Sequence, residues 1–349
     1  MGAPRSEQDC RREAQNGILP SVEHALLPVI TVCICTRNRK NYLGPTLEAL
    51  LAQDYPRDRF AVLVVDNGST DGTAKMVATR FGQGTEVPVR YVYEETPGLS
   101  RARNRAVAET SSEAIIFLDD DAIPEPGWLQ YLAAAFASAP DIVAVGGAVV
   151  PLFEGGMPTW TRDVNKYYSP FIPGEGLRRT SYPHLPWGGN MIYRRSAFQK
   201  IGVFREELGY RGSSLVTSED IEWLMRVEKS GGRILYEPRA VVRHCISANR
   251  TTKRYLRRRT YGSGLGVHGV EKTRRNDFET WGFREIGLAI VRLNFKRVGL
   301  WLKILVAQLP VSVDRFDREL DSWRALGGIQ ARLTDAWRQL GEKLWRISR

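Results

Sequence analysis

The sequence predicts an α/β fold: a mostly parallel central sheet flanked by helices, followed by a helical extension at the C-terminus. Three observations predict it. Over roughly the first 150 residues, short apolar runs alternate with amphipathic segments, the order expected of a parallel sheet covered by helices. Runs such as residues 62–65 and 115–118 lack polar alternation, as strands buried on both faces do. Three of the runs also end in polar clusters, and in open α/β sheets ligands bind outside the carboxyl ends of the strands.

In chain order, strands are expected at residues 29–36, 60–65, 89–93, 114–118 and 142–150. Helices fit between them at 43–53, 73–81, 100–109 and 128–139, where apolar residues recur at helical spacing. From 151 to 186 the pattern dissolves into a Pro/Gly/aromatic stretch, read as a mobile loop or insertion. Regularity returns at 187–194, with a helix near 218–230 and a strand near 233–236. Two helical segments, about 283–309 and 314–347, finish the chain. The division this suggests is an N-terminal extension (1–27), a catalytic α/β domain (28–245) and a basic, amphipathic helical region (246–349).

Composition narrows the class. Of 349 residues 43% are hydrophobic, which rules out a disordered chain. No stretch offers the ~18 uncharged apolar residues of a membrane span. Residues 1–20 mix acids and bases without an apolar centre, unlike a signal peptide. The net charge of +11 favours a polyanionic partner such as a nucleotide diphosphate, a nucleic acid or an anionic membrane. Cys33 and Cys35 lie two apart on an extended run and cannot easily bridge, so a reduced, cytoplasmic setting is expected.

The polar clusters carry the chemistry. Asp119, Asp120 and Asp121 follow a buried run, and two carboxylates ~4 Å apart repel by about 4 kcal/mol at an effective dielectric of 20. Three such groups call for a compensating cation, and Mg²⁺ or Mn²⁺ carrying a diphosphate fits the oxygen ligands; a solvated acidic turn is the plainer alternative. Asp66 closes another run and suits a nucleobase imide or ribose hydroxyl, while Ser69, Thr70 and Asp71 after it are good helix caps. Arg101 and Arg105 lie one turn apart at the start of a helix, a position open to phosphate oxygens or equally an exposed basic face.

The motifs Val-Cys-Ile-Cys-Thr-Arg-Asn-Arg (32–39), Val-Val-Asp-Asn-Gly-Ser-Thr-Asp-Gly-Thr (64–73), Pro-Gly-Leu-Ser-Arg-Ala-Arg-Asn (97–104) and Phe-Leu-Asp-Asp-Asp-Ala-Ile-Pro (117–124), in that order, resemble family 2 glycosyltransferases. The resemblance covers about residues 28–245. It implies a GT-A fold and inverting, metal-assisted transfer from a nucleotide sugar. By resemblance Thr36, Arg37 and Arg39 would line the nucleotide pocket, with Asp66 on the base, commonly uracil, and Arg101 and Asn104 on the donor side. Asp119 and Asp121 would be the metal-binding pair, with Asp120 on ribose or sugar. Trp187, Gly188, Gly189 and Asn190 resemble the segment on the sugar and acceptor side. In Thr217-Ser-Glu-Asp-Ile-Glu-Trp, Asp220 would be the catalytic base and Glu219 either an acceptor contact or a residue that supports the site from behind. His244 would be a further metal or diphosphate ligand. The Gln-x-x-Arg-Trp motif of processive synthases is missing from the sequence, which implies addition of one or a few sugars in cell-surface polysaccharide or glycolipid synthesis.

The inverting route asks for one carboxylate to take the acceptor's proton, whereas a retaining glycosidase needs a second, closely spaced one. Read alone, Glu219 and Asp220 are acids in the first turn of a helix, favoured by its dipole. Between 239 and 275 there are eleven Lys/Arg and one acid, Glu271; Arg254 and Arg258 share a face there and suit a diphosphate, anionic headgroups or solvent. The glycine pattern at 264–269 follows a basic helical run and no buried strand, so it is no dinucleotide fingerprint. Glu285, Arg292, Lys296 and Lys303 fall on one stripe of a helix that also carries Ile286, Leu293, Leu300, Trp301, Ile304 and Leu305, a pattern that suits a membrane interface, the catalytic domain or another subunit. The expected partners are a nucleotide sugar, UDP-sugar first, and a hydroxyl-bearing saccharide or lipid-linked acceptor, with peripheral contact to the inner face of an anionic cell membrane and no nucleic acid. A nucleotidyltransferase of related fold and a basic nucleic-acid-binding protein are the alternatives. The first would want a glycine-rich loop where Thr36-Arg-Asn-Arg-Lys stands, and the second leaves the acidic triplet unexplained.

Overall fold

The computed structural model describes residues 27–158, 160, 165–168, 174, 176–212, 214–275, 283–307 and 313–347. The expected N-terminal extension, with Cys10 and His24, lies outside them apart from Leu27.

The first half alternates as the apolar runs require: β1 (Ile30–Thr36), α1 (Lys40–Leu51), β2 (Phe60–Asp66), α2 (Thr73–Phe81), β3 (Val89–Tyr93), α3 (Leu99–Glu109) and β4 (Ala114–Leu118). These four strands are parallel, ordered β3-β2-β1-β4. After them come β5 (Ala122–Pro124), α4 (Trp128–Ala137), β6 (Ile142–Phe153), α5 (Asn165–Tyr168), β7 (Arg178–Arg179), β8 (Asn190–Arg194), α6 (Arg195–Ile201), α7 (Glu219–Lys229) and β9 (Arg233–Ile246). A 3₁₀ turn (Ala248–Thr251) leads into α8 (Lys253–Arg275), α9 (Phe283–Ala307) and α10 (Val313–Ile347).

Beyond β4 the sheet continues as β8, β6, β9 and β5; it is mostly parallel as expected, with β1–β4, β6 and β9 running one way, while β8 runs antiparallel to both β4 and β6, and β5 and β7 to β9. The stretch 151–186 is not one loop, since β6 reaches Phe153 and β7 pairs with β9 inside it. The last strand is also ten residues longer than 233–236, ending at Ile246 and not at Tyr236. Polar Arg239, Arg243 and His244 interrupt its apolar run and hide its second half from a hydrophobicity pattern.

Two apolar layers hold the sheet. On one side Ile30, Val32, Ile34, Val62 and Val64 meet Leu43, Leu47 and Leu50 of α1 and Trp128, Leu132 and Phe136 of α4. On the other, Cys33, Leu63, Ile115 and Phe117 meet Ala102 and Ala106 of α3, Phe198 of α6 and Trp223 of α7. Each fully buried large side chain contributes ~1.5–3 kcal/mol. Burial pushes the Cys33 thiol up to about 12, as suits a residue packed in the core.

The C-terminal helices are not separate from this body. Gly262 and Gly266 of α8 pass so close to the carbonyls of Leu215 and Thr217 that any Cβ would overlap them, and Gly264 does the same against Arg324 of α10. The glycine pattern at 264–269 is therefore explained by helix packing. The buried side of α9 (Ile286, Ile290, Leu293) packs on Ile329, Leu333 and Ala336 of α10. Among the described residues no helix is long and apolar enough to cross a membrane.

Candidate active site

Strand pairing assembles one site from four stretches of chain. The register Leu118↔Asn190 between β4 and β8 lays Gly189 against Asp119, whose N–H donates to the Gly189 carbonyl at 3.0 Å. The register Ala122↔His244 between β5 and β9 brings His244 to Asp121, Nε2 standing 3.2 Å from Oδ1. One ligand atom from each of Asp119, Asp121 and His244 falls within a 4.8 Å span. Two carboxylates and an imidazole at that spacing suit a hard divalent cation.

A cleft of about 1280 Å³ holds this cluster together with Asp220, Glu219, Trp187, Gly188 and Gly189. That is room for a nucleotide sugar and a second ligand. Asp220 sits in the first turn of α7. Its Oδ2 accepts the Gly188 N–H at 2.7 Å and its Oδ1 the Ile221 N–H at 2.8 Å, so both oxygens are aimed by backbone. Glu219, beside it, is turned inward and pairs with the buried Arg103 at 2.7 Å. Burial first, then the neighbouring Asp220 charge, pushes the Glu219 carboxyl up to about 7, against the pull of Arg103.

Asp121 has three partners. Arg250 Nη1 lies 2.8 Å away, Arg39 also contacts it, and His244 is the third. Burial opposes its ionisation, but His244, Arg39 and Arg250 outweigh burial and hold the carboxyl well below the usual range. Asp120 shares Arg39 with Asp121. Thr36 Oγ1 donates to it at 2.7 Å, the Thr46 hydroxyl donates to its carbonyl, and Arg39 Nε lies 2.9 Å from Oδ1. Burial pushes Asp120 up to about 7 although Arg39 pulls it down, and Asp121 adds to the rise. Asp120 and Thr36 thus tie the residues after β4 to the end of β1, and both line the cleft together with Arg37 and Arg39.

Four expected site residues are placed otherwise. Arg101 turns out to Glu206 at 2.7 Å, and Asn104 holds the backbone of Phe204 with both ends of its amide. Neither lines the cleft; α3 presents Arg103 instead, which shares the core-facing side with Ala102 and Ala106. Asn190 is fully buried and donates to the carbonyls of Ala148 and Ala240 while accepting from the Trp128 indole, so it fastens strands and is no acceptor contact. Asp66 is buried behind the rim, accepting from the Ser69 N–H and the Tyr91 hydroxyl, both at 2.8 Å. Its neighbour Asn67 lines the cleft in its place.

Arg103, Arg250 and Arg259 line the cleft without having stood out in the sequence. Arg259 lies 5.6 Å over the Trp187 ring. Arg254 and Arg258, one turn apart as expected, are exposed and outside the lining. His184 does line the cleft, whereas His268 is buried between α8 and α10 near Asp335.

The fold and this site together define a glycosyltransferase of the GT-A type. The chain belongs to glycosyl transferase family 2, whose family model matches residues 31–202. The Glucosyl-dolichyl phosphate glucuronosyltransferase of Haloferax volcanii is 27% identical over 248 residues, covering 67% of this chain and 75% of that protein. The Succinoglycan biosynthesis protein ExoM of Rhizobium meliloti is 29% identical over 244 residues, covering 69% and 74%. Among solved structures, the mannosyltransferase PcManGT from Pyrobaculum calidifontis, in complex with GDP-Man and Mn²⁺, aligns over 97% of this chain and 85% of its own with a TM-score of 0.54; at 17% identity this is a likeness of fold. Family membership replaces both the nucleotidyltransferase and the nucleic-acid-binding reading.

Proposed function

We propose that the protein transfers a sugar from a nucleotide diphosphate donor, UDP-sugar first, to a hydroxyl acceptor with inversion at the anomeric carbon. The observation that carries this reading is that the Asp119–Asp121–His244 cluster and Asp220 line the same cleft. In the transfer, the acceptor hydroxyl would give its proton to Asp220 as its oxygen bonds the anomeric carbon and the bond to the diphosphate breaks on the opposite face. The two backbone N–H groups on Asp220 hold the carboxylate still for that step. Glu219 is a positioning residue: it anchors Arg103, which also reaches to 3.7 Å from Asp119.

Asp119, Asp121 and His244 would hold Mg²⁺ or Mn²⁺, whose chemistry when bound is neutralising charge on the departing diphosphate. Arg37, Arg39, Asn67 and Arg103 would receive the nucleotide and its phosphates, with Trp187, Gly188 and Gly189 facing the sugar and acceptor. A base contact by Asp66 would require Ser69 or Tyr91 to give way. The acceptor would be a saccharide, free or lipid-linked, extended by one or a few sugars in cell-surface polysaccharide or glycolipid synthesis. Work at the inner, cytoplasmic face of the cell membrane accords with that.

Thermal melting against a panel of UDP-, dTDP- and GDP-sugars, with and without Mn²⁺, tests the reading. A ligand that prefers the folded state raises Tm. Stabilisation by one nucleotide family only when Mn²⁺ is present is the expected result; indifference to all of them, or equal stabilisation without metal, overturns it.

A further inference from the structure

We propose that α9 carries a docking surface for an anionic lipid bilayer. The helix has two apolar sides. One is spent on α10, where Ile286, Ile290, Leu293 and Ile304 are buried. The other is formed by Leu288, Val291, Phe295, Val298, Leu302 and Leu305, at spacings of 3, 4, 3, 4 and 3. All six are exposed, Phe295 by 77%. At 1.5 Å per residue the stripe runs about 26 Å along the helix. This differs from the face marked out by Leu293, Leu300 and Ile304, which is largely the one turned to α10.

Charge selects the occupant. Arg292, Lys296 and Lys303 are exposed and, at steps of four and seven, line one edge of the stripe. The sole carboxylate in α9 is Glu285, near its start. Trp301, stacked edge-on against Trp323 of α10 at 5.4 Å, borders the other edge. A partner helix using a heptad seam would meet alternating charges beside it. An apolar stripe edged by three cations, with one carboxylate (Glu285) at the N-terminal end of that edge and an aromatic at the opposite border, matches a helix lying in the headgroup region of anionic lipid. Since no described helix can cross a bilayer, the surface seats on the membrane without spanning it.

This deepens the membrane-side reading above and leaves the transfer chemistry untouched, so the two fail separately. The test is flotation of the full chain with vesicles of phosphatidylcholine alone or with about 30% phosphatidylglycerol, at low and high salt. The protein should float with the anionic vesicles only. Phe295→Ser/Leu302→Ser should lower partitioning at least tenfold, and Lys296→Gln/Lys303→Gln should lower it roughly fivefold per cation at low salt and blunt the salt response. Nucleotide-dependent melting, read in parallel, should be unchanged in both variants, which shows that they are folded. Flotation equal in wild type and variants, no flotation at all, or a solution dimer that Phe295→Ser/Leu302→Ser dissociates would each overturn the proposal.

Discussion

The backbone N–H of Gly188 donates to Oδ2 of Asp220 across 2.7 Å, and a Cβ at position 188 would stand 2.6 Å from the Cβ of the same aspartate. Hydrogen bond and close approach are two consequences of one glycine. Gly188→Ala must therefore move either β8's approach or the start of α7. The overlap should cost about 1–3 kcal/mol of stability. A displacement of the base by even a fraction of an ångström should lower kcat by up to about 100-fold. Melting curves and steady-state kinetics on the purified variant check both, with KM for the donor changed much less than kcat.

Asp121 gathers Arg39, Arg250 and His244 around one carboxylate. In Asp121→Ala, Arg39 and Arg250 face each other without it, and the metal cluster is reduced to Asp119 and His244. Calorimetry with UDP should show affinity in the presence of Mn²⁺ falling at least about tenfold, to the metal-free level. Unchanged Mn²⁺-dependent affinity would remove Asp121 from the cluster.

Glu219 supplies a pH dependence of known sign. Its carboxyl is raised from 4.5 to about 7 by burial and the adjacent Asp220. The folded state thus binds that proton more tightly than the unfolded chain does. The stability from this source is fully present below about 4.5 and is lost as pH rises through about 7, by at most about 3 kcal/mol. Glu219→Gln cannot titrate there. The difference in Tm between variant and wild type should shift in the variant's favour from pH 5 to pH 8, measured by scanning calorimetry at both.

What the sequence discloses about the fold follows burial. Strand β4 begins and ends where its apolar run does, and β1 and β2 differ by one residue, because a strand enclosed by helices is apolar along its whole length; the half-exposed edge strand β3, which carries Arg90, matches its expected bounds without that help. The second half of β9 carries Arg239 and Arg243, which pair with Glu237 and Glu125, and His244, which lines the cleft, so the same pattern fails there. The site divides similarly. Asp119 and Asp121 stand out because they follow a buried apolar run, whereas Asp220, in the first turn of α7, and His244, inside β9, are singled out only by the family resemblance of their motifs. Asn190 and Asn104 share those motifs, but their amides satisfy buried backbone, a duty that motif spacing does not separate from ligand contact. Arg250 and Arg259 reach the cleft from beyond the sheet, across a fold whose strand order only the tertiary structure specifies.

The central claim is that Asp220 takes the acceptor's proton at a cleft whose donor end works without it. Single-turnover transfer by Asp220→Asn, measured beside UDP affinity with Mn²⁺ on the same preparation, addresses it most directly. The account predicts transfer reduced by about 100-fold or more while affinity stays within about twofold of wild type. Transfer at the wild-type rate, or affinity lost in step with activity, would contradict it.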